Sequence, residues 1–148
     1  MTLGIVVAWF HYASLMLLIA AVLGEAVVLK PQITVTEARL LQRLDNTYGA
    51  SAALLLATGV ARMFLEKGVA YYLRHGAFHI LVTLFVVIGL LSIYPTVAFL
   101  RWRGEIKADR APAIPAEQFR RLRLILRIEI VLLLIAPLFA AWMAHGTF

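Results

Sequence analysis

From residue 76 to residue 100 the chain carries no formally charged side chain, and the same holds for 3–24 and for 130–148. A helix needs roughly 20 apolar residues to cross the hydrocarbon of a bilayer, so three runs of this length constrain the fold more than any other feature. Inside hydrocarbon each backbone amide must find its partner within the protein, and for separate runs of this kind the helix is the element that achieves it. A fourth run, 46–61, is shorter and is bounded by Asp45 and Arg62. It reaches spanning length if Arg62 snorkels outward along its aliphatic stem.

The expected fold is all-α: an integral membrane four-helix bundle, up-down-up-down because two of its connections are short. The spans are expected over 3–29, 46–64, 75–100 and 118–145, all in one domain covering 1–148. With 63% hydrophobic and 15% charged residues the composition is far from that of a water-soluble domain. Nothing basic precedes Lys30, so the first run reads as a retained helix and not as a cleaved signal.

The connections carry their own signals. Pro31 ends the first helix, and Thr34 with Glu37 three residues on forms a capping-box pattern. Leu40, Leu41 and Leu44 then recur at helical spacing with Arg39 and Arg43 on the other side, which predicts an interfacial helix over 34–45. Pro112 and Pro115 mark the longest loop, followed by a basic amphipathic turn with Arg120, Arg121 and Arg123. Gly49, Ala53, Ala57 and Ala61 make a small-residue ladder, repeated by Ala136, Ala140 and Ala144, and both are expected to be packing faces.

Charge position sets the orientation. Lys30, Arg39 and Arg43 in one connection and Arg101, Arg103, Lys107, Arg110, Arg120, Arg121 and Arg123 in another fall on one side, against Arg62, Lys67 and Arg74 on the other. Basic residues favour the cytoplasmic side, so both termini are placed outside, in a multi-pass protein of a bacterial inner membrane. The same distribution assigns the net charge of +6 to topology and lipid headgroups, and nucleic acid is not an expected partner.

The chain has no cysteine, which excludes disulfides, thiolate metal sites and thiol catalysis. With the termini outside, His11 lies roughly 12 Å into the membrane by helical rise. His79 lies at similar depth on the third span, one turn below His75, and His145 is near the outer surface. Neutral imidazoles on facing helices are good axial ligands for haem iron. His11 and His79 are therefore the expected metal ligands of a noncovalent b-type haem, with Arg62, Tyr72 and Arg74 positioned to hold its propionates. Glu25 and Glu129 are carboxylates inside the spans, where ionisable groups are functional candidates by default, and they are the expected proton carriers.

Several motifs together resemble a bacterial family of four-helix membrane proteins, a domain-of-unknown-function family, over essentially the whole chain. They are Phe10-His11-Tyr12, Glu25 before Leu29-Lys30-Pro31, Asp45 through Tyr48-Gly49, Thr58-Gly59 before Arg62, and Lys67-Gly68 before Tyr71-Tyr72. Leu91-Ser92 before Pro95-Thr96, Arg101-Trp102-Arg103 and Glu129 complete them. That family is similar to small membrane proteins with a histidine on the first helix, among them the quinone-linked four-helix protoporphyrinogen oxidase and the CopD-type copper-resistance proteins. The resemblance implies a haem or porphyrin site involving His11 and a quinone-linked oxidoreductase. Leu81 departs from it, since a lysine is common at that position in the family, and the departure bears on catalysis more than on binding. The alternative expectation is a non-catalytic accessory or assembly subunit of a larger membrane complex, or a homo-oligomer. A copper transporter fits less well, because copper sites are richer in Met and Cys than this chain.

Overall fold

A computed structural model describes residues 2–145. Its helices are α1 (Leu3–Val28), α2 (Val35–Leu65), α3 (Val69–Arg74), α4 (Gly76–Arg101), α5 (Arg103–Lys107) and α6 (Ala116–His145), and no strand occurs among the described residues. α1, α2, α4 and α6 are each long and apolar enough to span a bilayer. α1 packs most widely on α2 and α4 on α6, while α6 also meets α1 and α2 also meets α4. The four therefore form a ring in the order α1, α2, α4, α6, with α1 diagonally across from α4.

One element differs from expectation. The predicted interfacial helix and second span are a single unbroken helix, α2, of 31 residues. At 1.5 Å per residue it is about 46 Å long, well beyond the ~30 Å of bilayer hydrocarbon. Its first turns therefore extend past the hydrocarbon, at the end that the distribution of basic residues makes the inner one, while the rest crosses. No Gly or Pro interrupts it between Thr34 and Tyr48, and Leu41, Asp45 and Tyr48 continue one buried stripe through the expected boundary. The capping box forms as its residues predict: the Glu37 amide donates to Thr34 Oγ1 at 3.2 Å and the Thr34 amide to Glu37 Oε2 at 2.9 Å. Lys30 Nζ adds an ion pair to Glu37 at 2.7 Å and ties the α1–α2 turn to the cap.

The packed faces follow period 3.6 but are not all the expected ones. Ser14, Leu18, Ala21, Val22 and Glu25 are buried on α1, and Leu122, Leu126, Glu129 and Leu133 on α6. On α2 the buried stripe is Ala38, Leu41, Asp45, Tyr48, Ser51, Leu55 and Thr58. The ladder of Gly49, Ala53 and Ala57 lies on the exposed side of α2, so the small residues are not that helix's packing face. On α6, Ala136 and Ala140 are half-buried. One buried core runs from Leu55, Ile88 and Leu133 to Leu41, Phe99, Trp102, Ile106 and Leu122. Exposed large apolar side chains such as Leu90, Leu134 and Leu138 ring the spans, as hydrocarbon requires.

Candidate functional site

Polar side chains gather inside the bundle at two levels. The inner level draws on all four spans. Glu25 of α1 is 2% exposed, Asp45 of α2 7% and Glu129 of α6 1%. The Thr96 hydroxyl, on α4 directly after the buried Pro95, donates to Asp45 Oδ1 at 2.7 Å. The Tyr48 hydroxyl, one turn beyond Asp45, donates to Glu129 Oε1 at 3.2 Å. Tyr48 thereby reaches diagonally across the ring from α2 to α6. Among the described residues no ion pair involves any of the three acids.

The outer level is built on α1 and α2. His11 Nδ1 lies 3.0 Å from Thr58 Oγ1. The Thr58 hydroxyl proton is committed to the Leu54 and Leu55 carbonyls at 2.7 and 3.1 Å, so Thr58 accepts from His11 and the imidazole proton sits on Nδ1. His11 Nε2 then presents a lone pair. Gly59 leaves room for the ring: a Cβ there would stand 3.3 Å from His11 Cε1.

One helical turn beyond Thr58, Arg62 lies over the Tyr12 ring at 5.1 Å and pairs with Glu66 at 2.6 and 3.2 Å. Glu66 also accepts from the Tyr72 hydroxyl at 3.1 Å. Hydrogen bonding to the Arg62 guanidinium holds the Glu66 carboxyl below its usual range. Burial, with the Glu66 charge beside it, pushes the Tyr72 phenol up to about 12. Gly68, at φ 80°, turns the chain between Glu66 and Tyr72 in a conformation that a Cβ would strain.

Of the residues expected to act, His11, Arg62 and Tyr72 come together at the outer level, and Glu25 and Glu129 at the inner one. His79 is not brought to His11. It stands exposed on α4, which does not touch α1, and its Nε2–H donates to the Leu73 carbonyl at 2.9 Å. Arg74 is exposed on the outer rim. His75, expected at the interface, is instead buried, with its ring 4.2 Å from that of Tyr71.

Asp45, Tyr48, Thr58, Glu66 and Thr96 were not expected to act. Asp45 read as the charged boundary of a span, yet Leu41, Asp45 and Tyr48 share one face at spacings of four and three, and that signal was available. Glu66 carries a similar one, standing four residues after Arg62.

Residues 3–147 match the family described as "Predicted membrane protein (DUF2214)". The chain belongs to this family. Its description goes no further than membrane residence, which the four apolar spans of the DUF2214 bundle independently support. No curated protein and no solved structure was found to be similar to the chain.

Proposed function

We propose that the protein is a multi-pass component of the bacterial inner membrane that binds a b-type haem or related porphyrin near its outer face, with His11 as ligand, and acts in membrane redox chemistry. The setting of the His11 imidazole carries this reading. Nδ1–H is committed to Thr58 and Nε2 is left open, the arrangement by which proteins orient ligating histidines through the other ring nitrogen. The resemblance to porphyrin-handling membrane proteins with a histidine on the first helix points to the same residue.

His11 would hold the group, whereas His79 does not join it, since its Nε2 is bonded to a carbonyl and its helix lies across the ring. Arg74, exposed and without a bonded partner among the described residues, suits a propionate, whereas Arg62 is already held by Glu66. When bound, the haem supplies one-electron transfer, for which the quinone pool is the natural partner in the bilayer. The protein's own part is to hold Nε2 in place and to keep Nδ1 protonated.

The test is a reduced-minus-oxidised absorption spectrum of detergent-purified protein expressed with haem supplied. A Soret band is expected that His11→Ala abolishes, Thr58→Val weakens and His79→Ala leaves in place. Absence of Soret absorbance in the wild type sinks the reading. A second reading, an accessory or assembly subunit, is favoured by α4, where 11% of the most apolar stretch is buried against 22% in α1 and in α2. It predicts that the chain migrates with a larger membrane complex and that His11→Ala leaves this assembly intact.

A further inference from the structure

The inner carboxyls take no part in the haem reading, and one of them is left in an unusual state. Asp45 is bonded to Thr96 and Glu129 to Tyr48, but Glu25 Oε1 is sealed from solvent and has no hydrogen-bond partner among the described residues. The charged groups that act on Glu25 are Asp45 from α2 and Glu129 from α6, both acids. Tyr48 stands at the same level, bonded to Glu129, and α4 brings the Thr96 hydroxyl to Asp45 and the half-buried Tyr94 against the same core, while Arg127 on α6 is exposed. The nearest bases on α2 and its turn are engaged elsewhere or face out: Lys30 holds Glu37, Arg39 holds Asp109, and Arg43 is exposed. A buried charge without a counter-charge is strongly unfavourable, so a cationic species must neutralise this site.

We infer that Glu25, with Asp45, Tyr48, Thr96 and Glu129 around it, forms a proton-binding site filled from the inner surface through Asp45. A calcium or magnesium ion would need at least six oxygens at roughly 2.0–2.6 Å. Among the described residues no three acidic or histidine side chains stand close enough together to hold a metal ion. A proton needs only one carboxyl oxygen, which the sealed Glu25 Oε1 supplies. Asp45 is the least buried of the three acids and stands on the same helix as the inner-surface residues Arg39 and Arg43, so it is the entrance.

Infrared difference spectroscopy on the full chain in lipid nanodiscs, stepped between acidic and alkaline pH in H2O and D2O, tests this. The wild type should show the deuterium-sensitive C=O stretch of a protonated carboxyl. Glu25→Gln, which keeps the neutral shape of the protonated acid, should remove it, and Glu129→Gln and Asp45→Asn should shift it. If Glu25→Gln does not fold, the wild-type band and its response to Glu129→Gln decide. No such band in the wild type, or a band that neither Gln variant changes, overturns the proposal. So does a band that sodium or magnesium moves at constant pH, which would make the site a metal site. Haem absorbance should be unchanged in Glu25→Gln, so failure here and failure of the His11 reading are separately visible.

Discussion

Along α6, Leu122, Leu126, Glu129 and Leu133 are buried in succession, whereas beyond Leu133 no described residue of the same helix is. α1 mirrors this, with nothing buried before Ser14. The inner half of the bundle is thus packed tightly, and the acids inside it have hydroxyls for company but no base. The outer ends of α1 and α6 are loosely packed, and the acid at that level, Glu66, is held by Arg62 and by a phenol. The contrast shows how a membrane bundle can run two kinds of electrostatics. Where helices close off water and lipid, an acid needs a proton. Where they part, a base supplies the charge at little cost, because its long side chain still reaches the interface.

If that contrast is real, the two halves should respond differently to damage. Leu122→Ala empties a fully buried inner position and should cost about 3 kcal/mol, whereas Leu138→Ala, on the lipid-facing surface, should stay within about 0.5 kcal/mol. Unfolding from mixed detergent micelles measures both, and equal losses would show that the outer half is packed after all.

The outer latch should titrate from both ends. The Glu66 carboxyl lies below its ordinary 4.5 in the folded protein, so its contribution is full above that value and is lost as pH falls through the lower folded one. Tyr72 is raised from 10.0 to about 12, so its contribution is lost as pH climbs through that interval. The pair is partly exposed and should be worth less than about 1 kcal/mol. The difference in stability between wild type and Glu66→Gln, followed against pH, should shrink toward acid, and a flat difference would disprove the latch.

The smallest effect concerns close approach. A Cβ at Gly24 would meet the Leu44 methyls at 3.1 and 3.2 Å, contacts a flexible leucine can relieve. Gly24→Ala should therefore shift stability by only a few tenths of a kcal/mol, helped by the better helix propensity of alanine. A loss of several kcal/mol would mean that the inner half is more rigid than its side chains suggest.

Three of the spans were legible because uncharged runs of sufficient length have few other uses, and the cap at Thr34 because its partner stands three residues on. The continuity of α2 was hidden by Asp45: a charge in an apolar run reads as an end, yet here it points inward to Thr96. The same bias concealed the inner cluster, whose members lie on four helices and are united only by packing. His11 was legible as a histidine at depth. Its pairing with His79 was not, because equal depth does not say which helices are neighbours, and α1 and α4 stand across the ring.

The length of α2 has a mechanical consequence. Thr58 and Asp45 sit on one uninterrupted rod, thirteen residues apart, which is about 20 Å by helical rise. A rod of this kind does not absorb a tilt locally, so a displacement of α2 at the outer imidazole is delivered to the inner acids as leverage. The helix that the sequence divides in two is, mechanically, one shaft with a different chemistry mounted at each level.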